Sequence, residues 1–205
     1  MYSLIADNLG KRFGPLKVFS GISFRLDSGR SLAIVGPNGS GKSTLLMLLL
    51  GQYHPTAGTI SYESDGSPLD EDGVRCATAL VAPYLNFYDY LTAEENLVFF
   101  ANASGCHLTG KQFNETLKRV GLEGRGDDQV GTFSSGMKQR LKYAAAILKK
   151  PAFLFLDEPT SNLDQSGKEL VRAVLDELRA NTVILIATNE EEEYGYADGV
   201  CRVDK

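Results

Sequence analysis

Apolar positions fall along this chain in short runs separated by turn residues, and the runs differ in period. Val18, Ile22, Phe24 and Leu26 form a strand-like stretch that ends at Ser28-Gly29. Ser31 to Val35, Phe153 to Leu156 and Thr182 to Ala187 are compact and apolar, with no polar face. Such runs predict strands covered on both sides, the usual state in a parallel sheet. Ser43 to Leu50 is too continuous in leucine for a surface helix and predicts a buried one.

The middle of the chain turns helical. Thr92, with Glu95 three residues on, forms a capping box ahead of Leu97, Phe99 and Phe100. Thr109 with Gln112 repeats the signal, and Gly121 is placed to end that helix. Ser134 or Ser135 can cap a third helix, which runs to Lys149-Lys150 and is stopped by Pro151. Ser166 with Glu169 predicts the start of a later helix bearing Leu170, Val174, Leu175 and Leu178 on one face. Buried strands separated by helices predict an α/β fold with a mainly parallel sheet.

Composition narrows the classes. The 205 residues are 43% hydrophobic and 23% charged, enough for one globular domain with a core of its own. A net charge of −5 argues against nucleic acid or anionic lipid as a standing partner. Cys76, Cys106 and Cys201 lack metal-ligand spacing and predict reduced, buried thiols of a cytoplasmic protein. Leu45 to Leu50 is the densest apolar run near the front, far below the roughly 20 residues that span a bilayer. Met1-Tyr2-Ser3-Leu4 lacks the basic start of a signal peptide. In a transport role, another chain must supply the channel. His54 and His107 fall in expected surface loops without a partner motif, and Glu190 to Glu193 is expected to open a solvated helix.

The candidate chemistry begins at Gly36-Pro37-Asn38-Gly39-Ser40-Gly41-Lys42-Ser43-Thr44. It fits the phosphate-loop pattern and lies between a predicted strand and a predicted helix, as that motif requires. Glycines let the backbone close around an anion with several N–H groups turned inward. A helix starting near Lys42 adds its positive end. Lys42 can reach the β- and γ-phosphates of a nucleotide, and the Ser43 hydroxyl can ligate Mg²⁺. Chance alone puts the four fixed positions in about one chain in a hundred of this size.

A second signal lies at Phe153-Leu154-Phe155-Leu156-Asp157-Glu158. A strand apolar on both faces has reason to end in two acids only where they face a ligand crevice, which in open α/β sheets lies beyond the carboxyl ends of the strands. Asp157 suits a grip on Mg²⁺ through water, and Glu158 suits a base or an orienter of the attacking water.

Together these residues resemble the ABC ATPase family over nearly the whole chain. Phe133-Ser134-Ser135-Gly136-Met137 resembles that family's LSGGQ loop, and it precedes the Asp157-Glu158 strand in the family's order. Ser161-Asn162-Leu163-Asp164 resembles the loop that follows the catalytic Glu. The resemblance implies a parallel-sheet core of residues 1–84 and 151–205, an antiparallel β subdomain, and a helical subdomain at about 85–150. It implies ATP and Mg²⁺ held in a head-to-tail dimer, of two copies or of related cassettes. The loop Ser134, Ser135, Gly136 of one subunit would close on the phosphate loop of the other, with N–H groups and a helix dipole aimed at the γ-phosphate. Phe13 matches the aromatic residue on which adenine stacks. An integral membrane permease would be the partner, holding the chain on the inner face of the cell membrane.

Two positions depart from the family. Its Gln at the end of the strand before the helical subdomain is replaced by Tyr84, and a neutral phenol is a poor Mg²⁺ ligand. Its His after the last core strand is replaced by Asn189, which keeps an N–H donor but cannot become cationic. Binding is expected to survive both changes, and hydrolysis to be slow. The few residues after Asn189 suggest a bare cassette similar to exporter subunits, including those of haem export. The alternatives are a non-transport ABC ATPase acting on ribosomes or DNA, and a weakly hydrolysing nucleotide-gated module. Tyr84, Phe87, Tyr88 and Tyr90 form an aromatic cluster that suits either packing between subdomains or a groove for a helix of the permease.

Overall fold

The structure, a computed structural model, describes residues 1–103, 105 and 110–203. Thr109, Cys106 and His107, each named above, lie outside the described residues. In chain order the first elements are β1 (Tyr2–Phe13), β2 (Leu16–Asp27), β3 (Ser31–Val35), α1 (Lys42–Leu49), β4 (Ala57–Ser64) and β5 (Ser67–Pro68). There follow α2 (Glu71–Ala77), β6 (Thr78–Val81), α3 (Ala93–Ala103), α4 (Gly110–Arg119) and α5 (Ser135–Lys149). The last are β7 (Phe153–Asp157), α6 (Gln165–Arg179), β8 (Val183–Thr188), α7 (Glu191–Tyr194) and β9 (Gly199–Arg202).

The expected parallel sheet is present as five strands in the order β6-β7-β8-β3-β9, every neighbouring pair parallel. Its apolar strands have no polar face because both faces are covered. Phe153, Phe155, Val183 and Leu185 join one core with Leu45, Leu46 and the antiparallel sheet. Their alternate neighbours Leu154, Leu156, Ile184 and Ile186 join the other core, with Leu141 and Ala144 of α5 and Val171 and Val174 of α6. The antiparallel sheet runs β2-β1-β4-β5. Sequence patterning found β2 within it and missed β1, β4 and β5, whose faces are less regularly apolar.

Caps set the helix ends. Thr92 N donates to Glu95 Oε2 at 2.8 Å and Glu95 N to Thr92 Oγ1 at 3.1 Å, the reciprocal box expected ahead of α3. Ser134 caps α5, accepting from Met137 N at 3.2 Å. Lys150, at φ 48°, ends that helix before Pro151. Gly121, at φ 69°, closes α4, with Leu122 N donating to Leu117 O at 2.8 Å.

Three expectations are corrected. Asp164, not Ser166, caps α6: its carboxylate accepts from Gly167 N at 2.8 Å, and Ser166 Oγ donates to it at 3.0 Å. The helix starts earlier than the Ser166–Glu169 spacing suggested, because the carboxylate reaches the third helical amide. The described thiols are not buried: Cys76 is exposed on the short surface helix α2, and Cys201 is half-buried on the edge strand β9. Glu193 is not solvated; it is only 2% exposed, because α7 turns it under the site. Among the described residues, no helix is long and apolar enough to cross a membrane.

Thr92→Ala removes one half of the capping box. It is expected to lower the unfolding free energy by about 1 kcal/mol in urea titration, with the slope unchanged.

Candidate functional site

The loop after β3 is shaped by steric limits. Gly41 has φ 111°, and a Cβ there would lie 2.5 Å from Val18 Cγ1. A Cβ on Gly36 would lie 2.6 Å from the carbonyl oxygen of Val203. Any side chain at either position would push the loop off β2 or off the chain after β9. Lys42 opens α1, and its Nζ donates back to Gly36 O at 2.9 Å and Pro37 O at 3.2 Å. Its ammonium therefore lies over the loop. Ser40 Oγ is buried and makes no hydrogen bond among the described residues, and nothing stands within 4 Å of where a Gly39 Cβ would be. An open, amide-rich loop with an idle buried hydroxyl and an ammonium over it fits a polyphosphate.

Asp157 ends β7, with β8 between it and β3. The register pairs Asp157 with Ala187 and Val35 with Thr188, so the three strands end nearly level. That brings Asp157, 3% exposed, close to the hydroxyls of Ser43 and Tyr84. Burial pushes the Asp157 carboxyl above the usual carboxylate range, while Ser43, Tyr84 and the charge of Lys42 pull the other way. Burial also raises the Tyr84 phenol, and the neighbouring Asp157 adds to that. A buried carboxylate beside a serine hydroxyl, needing positive charge, fits Mg²⁺. Tyr84 is thus brought to the site, beside Asp157. Lys142 of α5 fixes the strand end that carries Tyr84, donating to Ala82 O at 2.9 Å and Pro83 O at 3.0 Å. Burial, then the charge of Lys138, lowers the Lys142 ammonium.

Glu158 stands exposed at φ 47°, a left-handed conformation that costs a residue with a Cβ roughly 1–2 kcal/mol. Its N–H donates to Ala187 O at 2.9 Å, and its carbonyl accepts from Ser161 N at 3.1 Å. Glu158 and Asn189 line one cavity of about 240 Å³ with Thr160, Ser161 and Glu193. Asp157 therefore meets the loop at the carboxyl end of the sheet, while Glu158 faces a cavity with Asn189.

Phe13 ends β1 and is 45% exposed, so it is not a core residue. Tyr53 meets it edge-on at 5.6 Å, and Lys11 Nζ lies 4.8 Å from its ring centre. Ser134, Ser135 and Gly136 lie at the start of α5, where Gly136 approaches the Asn162 carbonyl closely enough that a Cβ would stand at 3.2 Å. Among the described residues, no hydrogen bond joins 134–136 to the phosphate loop.

The model of a family described as ABC transporter matches residues 19–161, a stretch that runs through the glycine loop, the Ser134–Gly136 turn and both strand-end acids. The chain belongs to the ABC transporter family. Nod factor export ATP-binding protein I of Burkholderia lata is 36% identical, the match covering 97% of this chain and 66% of that protein. The uncharacterized ABC transporter ATP-binding protein YdbJ of Bacillus subtilis is 35% identical over 89% of this chain and 60% of its own length. The chain thus spans less than two thirds of these curated relatives. A solved ATP-binding subunit of an ABC transporter superposes with a TM-score of 0.86 at 28% identity, covering 98% of this chain and 85% of that one. An ATP-bound bacterial Atm1-family exporter shares the fold, with a TM-score of 0.83 at 22% identity, covering 98% of this chain and 37% of that one.

In this ABC ATP-binding domain, sequence reasoning named the residues with motifs and missed those without. Tyr53 belongs to no motif. Lys142 reads as one more helix lysine. Glu193 hides in a run of acids, and only its place a short helix beyond Asn189 could have singled it out.

Phe13→Ala is expected to weaken ATP binding about tenfold, from loss of a stacking face, and to leave inorganic triphosphate binding unchanged. Calorimetric titration with both ligands checks this.

Proposed function

We propose that this chain binds ATP with Mg²⁺ and hydrolyses it at the contact between two cassettes, two copies or a related pair, driving a separate membrane permease. The observation that carries the reading is Asp157 buried against Ser43 beside Lys42, at the mouth of the glycine loop. Backbone N–H groups of residues 36–44 would hold the phosphates, and Lys42 would swing from the Gly36 carbonyl to the β- and γ-phosphates. Ser43, and Asp157 through water, would hold Mg²⁺, which supplies charge neutralisation on the phosphate oxygens. Phe13 would stack on adenine. Glu158 would orient the attacking water and take its proton, and Asn189 across the same cavity would donate a hydrogen bond to the γ-phosphate.

The Ser134–Gly136 turn supports the two-cassette arrangement. It presents a helix N-terminus that, among the described residues, makes no hydrogen bond to its own phosphate loop, and such an N-terminus suits the γ-phosphate held by a second cassette. Tyr84 engages Asp157 where the family has an amide, and Asn189 carries no charge, which supports slow turnover. A groove of about 210 Å³ between the core, 1–84 and 151–205, and the helical unit, 85–150, is lined by Leu80, Leu85, Phe87 and Phe100. Exposed Tyr84, Tyr88 and Tyr90 stand near it in the chain, and this apolar face suits a short helix of the permease on the inner side of the cell membrane. The relative named for Nod factor export supports outward transport.

Lys42→Ala is expected to weaken ATP binding about ten- to a hundredfold, from loss of charge-assisted hydrogen bonds. Glu158→Gln is expected to cut phosphate release by about 100-fold or more and to accumulate an ATP-bound dimer, read by light scattering. Asn189→His is expected to raise turnover. Binding and dimerisation with no phosphate release from the unaltered chain, with or without its permease, would instead favour a nucleotide-gated module.

A further inference from the structure

We propose that Glu193 is a positioning residue that holds Glu158 in its reactive conformation, an inference that rests on the hydrolysis reading above. The key is one peptide unit. The carbonyl of Pro159 and the N–H of Thr160 belong to the same trans peptide bond and point in opposite directions. The carbonyl accepts from Tyr143 Oη at 2.9 Å and from Gln139 Nε2 at 3.2 Å, both on α5. The N–H donates to Glu193 Oε1 at 3.0 Å, on α7. Thr160 Oγ1 donates to the same carboxylate oxygen. One helix thus grips the peptide from each side, and its plane cannot rotate without breaking bonds on both.

That peptide lies one residue beyond Glu158. It lies inside the turn that the Ser161 N–H closes on the Glu158 carbonyl at 3.1 Å, so rotating it would disturb that turn and shift the Glu158 carboxylate in the cavity shared with Asn189. All the gripping groups are buried: Glu193 and Gln139 are each 2% exposed, and Tyr143 is fully enclosed. Among the described residues Glu193 Oε2 has no hydrogen-bond partner, so the two bonds that Oε1 accepts are the ones that offset the carboxylate's burial. The clamp also links two ends of the site. Helix α5 begins at the Ser134–Gly136 turn, and α7 begins two residues after Asn189. A shift at either end, when a second cassette or a phosphate engages it, reaches Glu158 through the Pro159–Thr160 peptide.

The test compares Glu193→Ala and Glu193→Gln with the unaltered chain. A Gln carbonyl oxygen can accept both Thr160 bonds; Ala accepts neither. Glu193→Ala is expected to lower kcat about ten- to a hundredfold while the ATP Kd and KM stay within about twofold, and Glu193→Gln to restore most of kcat. Hydrogen exchange followed by mass spectrometry is expected to rise in Glu193→Ala across residues 158–163 and to stay unchanged in α1. Unchanged kcat in Glu193→Ala overturns the proposal. So does a Gln variant as slow as the Ala variant, or a Kd that rises in step with the loss of kcat. If the unaltered chain releases no phosphate, the hydrolysis reading fails on its own. The exchange experiment then decides the clamp, which unchanged protection at residues 158–163 overturns.

Discussion

Ser43 and Asp157 lie far apart in the chain, and their contact depends on the parallel sheet ending level at one edge. Asp157 is buried at the end of β7, Ser43 lies in the first turn of α1 after β3, and β8 separates the two strands. A strand slipped by one residue would turn Asp157 into a core of leucines and valines. The register is held by apolar residues on both faces of β7 and β8, so the cores that stabilise the domain also place its chemistry. The cost is a carboxylate kept out of water, and burial raises its pKa.

The carboxyl edge of the sheet is built from turns that only neighbours can hold. The glycine loop is pressed between β2 and the chain after β9. The turn after β7 carries Glu158 at φ 47°, and α5 and α7 bond the Pro159–Thr160 peptide just beyond it. Helix α5 also fixes the Tyr84 segment through Lys142, and its own start is the serine-rich turn expected to face a second cassette. One helix therefore touches three functional segments.

Where patterning worked, it worked through local rules. The capping box at Thr92, the stop at Lys150-Pro151 and the two-sided apolar strands each follow from residues within a turn or two. Where it failed, a distant group had intervened. The acids at 190–193 looked solvated because the sequence cannot show that Thr160 awaits one of them. The cap of α6 went to Asp164 rather than Ser166 because the turn before it, closed by the Leu163 N–H to the Thr160 carbonyl at 3.1 Å, set where the helix begins. Cys76 and Cys201 looked like core thiols until a surface helix and an edge strand claimed them.

The sequence by itself determined the kind of chemistry, because phosphate binding is written in consecutive residues: glycines that free the backbone, a lysine, a serine and a helix start. It also determined the fold class, because strands covered on both faces have no polar alternation. Only the tertiary structure decided how Asp157, Tyr84, Glu158 and Asn189 meet, and which of several acids is buried beneath them. Those outcomes depend on strand order and on hydrogen bonds between residues far apart in the chain, and no local pattern encodes such distances.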